Sequence, residues 1–188
     1  MAVPLSRSLC PRVQHPTAGR PLPHALIIGA AHRRATLVLL CGLPASGKTT
    51  LARRLAAELP AVRLCADEWL TDLGADLFDA GLRARLERRF WRLAQDLLGQ
   101  GRSVILESGF WLRADRDEKR AGARALGAAV ELRFLDVPLD ELARRLEARN
   151  AEAPWATAVI PPVLLESHAP LFEPPSPAEL ALFDPPAC

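Results

Sequence analysis

The sequence predicts an α/β fold in which a parallel sheet is covered by helices on both faces. Three observations carry that expectation: apolar runs of strand length recur along the chain, amphipathic stretches of helical period separate them, and glycines or a proline mark the exchanges. At 188 residues, 49% of them hydrophobic, the chain suffices for one domain with a substantial core.

The elements follow in order. Residues 1–24 carry Pro4, Pro11, Pro16, Pro21 and Pro23 among arginines with no acid, which predicts a disordered basic arm ahead of a domain spanning 25–188. Ala25 to Ala31 is apolar but far shorter than the ~20 residues of a membrane span, so no membrane association is expected. Thr36 to Cys41 reads as the first strand and Lys48 to Leu59 as the first helix. Val62 to Cys65 reads as a second strand. Phe78 to Leu98 is an amphipathic helix, with Leu82, Leu86, Phe90, Leu93, Ala94, Leu97 and Leu98 on one side and Gly99 and Gly101 as its stop. Ser103 to Glu107 is the third strand, Ala114 to Leu126 a helix closed by Gly127, and Val130 to Asp136 the fourth strand. Pro138 suits the first turn of a helix running to about Arg149, and the remainder is rich in proline.

Between the first strand and the first helix lies Gly42-Leu43-Pro44-Ala45-Ser46-Gly47-Lys48-Thr49, which satisfies Gly-x4-Gly-Lys-Ser/Thr in the strand, loop, helix context that the motif requires. Backbone N–H groups of such a loop cradle phosphates at a helix N-terminus, where unpaired amides and the helix dipole both favour negative charge. Among 24 Lys plus Arg the chain has only two lysines, Lys48 and Lys119. A compact ammonium reaches between the β- and γ-phosphates, where a broad guanidinium fork is wrongly aimed. Thr49 would offer its hydroxyl to Mg2+, and Thr50 its own to the α-phosphate.

Other polar candidates gather where strands end, which is where sites form in parallel sheets. Glu107, directly after Val104-Ile105-Leu106, is placed to hold Mg2+ directly or through water. Asp67, after the second strand, fits a general base for a hydroxyl acceptor, an N-cap or a metal ligand. Arg116 and Arg120, and again Arg145 and Arg149, stand four apart on helices as like-charge neighbours that a shared anion would compensate. The alternative is ordinary ion pairing at the same spacing on those helices, Glu141 with Arg145, Asp140 with Arg144 and Asp117 with Arg113. Trp69, Phe110 and Trp111 would stack a base, line an apolar acceptor pocket or pack in the core.

The net charge is +2, yet Arg7, Arg12, Arg20, Arg33, Arg34, Lys48, Arg53 and Arg54 all precede the first acid, Glu58. That basic third would suit nucleic acid, but no aromatic residue lies among its charges to stack on bases, and a solvated arm explains it as well. Cys10, Cys41, Cys65 and Cys188 lack metal-ligand spacing and read as reduced thiols of a cytoplasmic protein.

Taken together, the chain resembles the small P-loop kinase-like proteins grouped as AAA-type ATP-binding proteins, related to zeta toxins, chloramphenicol phosphotransferases and polynucleotide 5′-kinases. The resemblance runs from Thr36 to Glu173. It rests on Gly42 to Thr50, on Asp67-Glu68-Trp69, on Val104 to Trp111 with Arg113 and Arg116, on Leu142 to Asn150, and on Phe172-Glu173-Pro174-Pro175. It implies a P-loop NTPase sandwich with strand order 2-3-1-4-5 and a helical lid. It further implies ATP and Mg2+ as cofactors, Asp67 as the acceptor-activating base, and Arg145 and Arg149 on the lid. Glu107 departs from the aspartate of the family pattern. The activity implied is transfer of the ATP γ-phosphate to a hydroxyl of a small molecule or nucleotide. A polynucleotide or nucleoside kinase and a non-kinase ATP-binding switch are the competing expectations, and oligomeric state is not legible.

Overall fold

Strand β1 (Thr36–Cys41) organises the molecule, because all of its inner side chains find apolar cover. In the computed structural model, which describes residues 34–152 and 159–186, Leu37, Leu39 and Cys41 face one side of the sheet and Val38 and Leu40 the other. The expected basic arm, residues 1–24, lies outside the described residues. Burial on both faces explains why this strand reads as a continuous apolar run rather than an alternation. Strands β2 (Ala61–Leu64), β3 (Ser103–Gly109) and β4 (Ala129–Phe134) complete a four-stranded sheet of order β2-β3-β1-β4 with every pair parallel.

This order reproduces the first four positions of the expected 2-3-1-4-5, and no fifth strand forms among the described residues. The reason is visible at the outer edge of β4. Val130 donates its N–H to Asp184 Oδ2 (2.7 Å), and its carbonyl accepts from the Asp184 N–H (2.8 Å), so one residue of the C-terminal segment closes the edge. Pro170, Pro174, Pro175, Pro177, Pro185 and Pro186 around it lack the N–H groups that a ladder needs.

Helix α1 (Lys48–Glu58) covers one face of the sheet through Ala52 and Leu55. Helices α3 (Ala80–Gly99) and α4 (Arg113–Ala125) cover the other through Phe90, Ala94, Leu98 and Ala123. Between β2 and α3 the chain forms a short α2 (Ala66–Asp72). Helix α3 starts two residues later than the apolar pattern suggests, because the Asp79 side chain accepts from the Leu82 N–H at 2.8 Å and fixes the N-cap there. Helices α5 (Leu139–Glu152) and α6 (Pro162–His168) bury Leu142, Leu146 and Leu165 against Leu43 of the loop after β1. A final turn, α7 (Pro177–Leu180), sits near the C-terminus. Cys41 and Cys65 are buried free thiols, and burial pushes both up to about 11.

One irregularity positions chemistry. Leu39 pairs with Leu106 but Cys41 pairs with Gly109, so β3 carries one extra residue opposite the end of β1. The resulting bulge falls at Glu107 and Ser108, and bulges beside sites re-aim side chains.

Candidate functional site

The loop after β1 is shaped by contacts that exclude side chains at one position. Gly42 takes φ 153°, and a Cβ there would stand 2.8 Å from Ser46 Oγ and 3.1 Å from the Leu135 carbonyl oxygen. Ala45 takes φ 62°, a left-handed conformation uncommon for a residue with a Cβ. Helix α1 then begins at Lys48 with no side-chain cap and no acid in its first turn, which leaves its first amides for a bound anion. Lys48 Nζ lies over the loop and donates to the carbonyls of Gly42 (3.0 Å) and Leu43 (2.7 Å) and to Ser46 Oγ (3.5 Å). Burial holds its ammonium down at about 8, against the pull of Glu107 and Asp67.

Thr49 and Glu107 come together although they lie on α1 and in the β3 bulge. Thr49 Oγ1 donates to Glu107 Oε1, and Glu107 Oε2 accepts from Arg63 Nη1 at 2.7 Å. A hydroxyl and a carboxylate oxygen beside a phosphate loop are the hard ligands that Mg2+ takes, usually with one or two carboxylates and the remaining positions filled by water and phosphate. The residues therefore fit that ion. Among the described residues no group of three His, Cys, Asp or Glu side chains forms a self-sufficient metal site.

Asp67 stands in the first turn of α2, exposed and lining the same cleft as Lys48, Thr49 and Glu107. Its side chain does not cap the helix, so the N-cap alternative falls away. Arg83 Nη2 donates to Asp67 Oδ1 at 2.6 Å and to the Leu77 carbonyl at 3.0 Å, which fixes one carboxylate oxygen and leaves the other for a ligand.

The four expected arginines divide into two sets. Arg145 and Arg149 of α5 line the cleft. Arg145 donates to Glu141 at 2.6 Å, one of the expected helical pairs, whereas Arg149 has no carboxylate partner among the described residues. Arg116 and Arg120 are corrections. Arg116 is fully buried, paired through two nitrogens with Glu179, and bonded to the carbonyls of Phe110 (2.9 Å) and Trp111 (3.0 Å). Arg120 pairs with Asp117 at 2.7 Å and lies over the Phe183 ring. Neither lines the cleft, because both guanidinium groups are turned toward the C-terminal segment.

Arg116 nevertheless supports the loop indirectly. Gly109 and Phe110 take φ 79° and 43° in succession as β3 ends, and Arg116 holds the carbonyls of that turn. The turn presents Trp111, whose Nε1 donates to the Gly42 carbonyl at 3.3 Å and whose ring lies 4.7 Å from that of His168. Phe110 and Trp111 line the cleft as expected, while Trp69 packs edge-on against Phe90 at 5.0 Å.

The cleft is open to solvent and measures about 1720 Å³, more than the roughly 300–1,000 Å³ of a single small-ligand pocket. Its walls include residues that sequence reasoning missed: Arg63, Arg83, Glu87, Trp91 and Lys119. Arg63 carried a legible signal as the one charged residue of the four-residue strand β2. The others sit on long helices whose polar faces carry many charges, and only the tertiary structure selects among them.

The comparisons agree with this geometry. Solved structures similar to the chain include the Pnkp1/Rnl/Hen1 RNA repair complex (24% identity over 75% of this chain, TM-score 0.61), Kti12 from Chaetomium thermophilum in complex with ADP-AlF3 (20% over 76%, TM-score 0.57) and a sugar kinase from Janibacter sp. (25% over 78%, TM-score 0.56). The chain spans 40% and 45% of the lengths of two RNA repair chains that it matches, against 82% each for Kti12 and the sugar kinase. No curated protein matches it. Among the described residues, no helix is long and apolar enough to cross a membrane. The model of the AAA domain family matches residues 37–171, and with the phosphate loop, the parallel sheet and the kinase-like neighbours in agreement, the chain belongs to that family, as a P-loop nucleotide-binding protein of kinase-like fold.

Proposed function

We propose that this protein transfers the γ-phosphate of ATP to a hydroxyl group of a small molecule or nucleotide. The observation that carries the reading is convergence: Lys48, the Thr49 and Glu107 pair, Asp67, Arg145 and Arg149 come from four separate stretches of chain and line one cleft. Nucleotide phosphates would lie along the backbone amides of residues 44 to 49, Pro44 itself having no N–H, with Lys48 exchanging its loop carbonyls for phosphate oxygens. Thr49 and Glu107 would hold Mg2+, which supplies charge neutralisation and orientation of the phosphates when bound. Asp67 would accept the proton of the acceptor hydroxyl through the oxygen that Arg83 leaves free. Arg149, and Arg145 once released from Glu141, would stabilise charge on the transferring group.

The deciding experiment is a transfer screen with γ-labelled ATP and Mg2+ against pooled nucleosides, sugars, nucleotide sugars, aminoglycosides and 5′-hydroxyl oligonucleotides, with Asp67→Asn as control. Label in one pool, lost in the control, supports the proposal and identifies the acceptor class. Label in the oligonucleotide pool alone selects the polynucleotide kinase reading, and slow ATP loss without any labelled acceptor selects the switch reading. Unchanged transfer by Asp67→Asn would remove the base assignment.

A further inference from the structure

Arg63 is an unusual occupant of its position. Strand β2 has four residues, pairs along β3, and keeps Leu64 in the core, yet its third residue is an arginine with a largely buried side chain, 17% exposed. The sheet explains its direction. Arg63 pairs with Ile105, and Glu107 lies two residues further along β3, so both side chains emerge on the face covered by α1.

The guanidinium divides between two carboxylates. Nη1 donates to Glu107 Oε2 at 2.7 Å, and Nη2 donates to Glu68 Oε2, while the other Glu68 oxygen accepts from Arg53 at 2.8 Å. With Oε2 held, Glu107 has Oε1 directed at Thr49 Oγ1. Only 4% of the Glu107 side chain is exposed, so solvent offers little to replace a lost partner. Glu68 neighbours Asp67 on α2, so one planar group connects the metal end of the cleft to the helix bearing the acceptor base.

We propose that Arg63 is a positioning residue: it locks Glu107 in the rotamer that presents Oε1 beside Thr49, and it ties that carboxylate to α2. The inference rests on the proposed Thr49 and Glu107 metal site. It follows from the fixed fork of the guanidinium, which serves two carboxylates at a set angle, whereas a lysine ammonium is a single point charge on a flexible stem. Partners of ligating carboxylates orient them, and losing such a partner typically weakens metal binding by about 10–100-fold.

The test titrates Mn2+ into the full-length protein saturated with ADP, read by electron paramagnetic resonance, with ADP affinity measured separately in EDTA. Arg63→Met should weaken Mn2+ binding at least about tenfold while metal-free ADP affinity stays within about twofold, a split that general loss of structure would not give. Arg63→Lys should fall between Arg63→Met and the parent, and Glu68→Gln should retain Mn2+ affinity within about threefold, because it cuts only the α2 arm. A folded Arg63→Met protein with parental Mn2+ affinity overturns the proposal. Should that variant fail to fold, parental Mn2+ affinity in Arg63→Lys overturns it equally. Glu107→Gln separates the two levels: undiminished Mn2+ binding there refutes the metal site itself, and with it the role of Arg63.

Discussion

Arg116 and Glu179 meet in a two-point ion pair, Nε to Oε1 at 2.6 Å and Nη2 to Oε2 at 3.0 Å, with both side chains closed off from solvent. The pair joins α4 to α7, and the same guanidinium holds the Phe110 and Trp111 carbonyls. Removing one partner strands a buried charge, at a cost of about 3–5 kcal/mol, whereas replacing both by apolar groups removes the desolvation penalty together with the attraction. Arg116→Ala and Glu179→Ala should therefore each lower stability in urea by about that amount. The double variant Arg116→Met, Glu179→Leu should lose clearly less than the sum. Additive losses would show that the two side chains do not act as a unit.

Lys48 sets a pH dependence. Burial lowers its ammonium from 10.5 to about 8, so between those values the unfolded chain binds a proton that the folded chain has released. The contribution of Lys48 to folding stability is thus unfavourable below pH 8 and improves as pH rises toward 10.5. Nucleotide binding should move oppositely, because phosphates need the ammonium. ADP affinity should be flat below pH 7 and fall by up to about tenfold per unit above pH 8, since each pH unit beyond the pKa makes protonation tenfold scarcer. Lys48→Met should bind ADP weakly at every pH and abolish the slope; a slope that persists in the variant assigns the titration elsewhere.

The two cleft arginines of α5 should not be equivalent. Glu141 accepts from Arg144 and Arg145, which hold its carboxyl down at about 2, so the pairs stay ionised throughout the physiological range. Arg145 must leave Glu141 to meet a phosphate, whereas Arg149 is already unpaired among the described residues, close enough to Lys48 to oppose its charge. Arg149→Ala should slow ATP turnover by about 10²-fold or more, consistent with a transition-state cation, and Arg145→Ala by less. Glu141→Gln should raise turnover modestly with the melting temperature unchanged, because the pair it breaks is exposed. Equal losses in Arg145→Ala and Arg149→Ala would refute the asymmetry.

How much of this was legible depends on how local each cause is. The phosphate loop was, because its glycines and lysine are adjacent in sequence and their spacing is itself the geometry. So were strands β1 and β3, whose burial on both faces leaves apolar runs, whereas β2 and β4, less buried and interrupted by Arg63 and by Glu131 and Arg133, were legible in outline only. Arg116 was misread because a helical arginine spaced four residues from another has the same pattern whether it faces a phosphate or a distant carboxylate. Its partner Glu179 lies 63 residues away in a segment that reads as featureless proline-rich chain. Asp184 closing the β4 edge was hidden for the same reason. The bulge at Glu107 arises from register with β1, which no single strand encodes.

Glu87 should behave as a carboxylate kept at a cost to stability. It lines the cleft on α3, and burial pushes its carboxyl up, reinforced by Asp67 and Asp115 and opposed by Arg83 and Lys119. Arg83, one turn away, donates instead to Asp67 and the Leu77 carbonyl, and Lys119 donates to Glu118 while lying over the Trp91 ring. A raised carboxyl means that the folded chain holds a proton which the unfolded chain has released, so the penalty of ionising Glu87 is absent below its unfolded value of about 4.5 and grows as pH rises through the shifted one. Glu87→Gln should consequently melt on the order of a degree or two above the parent at pH 7 and indistinguishably from it at pH 4. If Glu87 also meets the acceptor, the variant should lose phosphate transfer while gaining stability, the opposition expected where a site retains an unfavourable charge for function. A variant less stable at pH 7 would mean that Glu87 is held by a favourable interaction, and the stability cost assigned to its charge would have to be withdrawn.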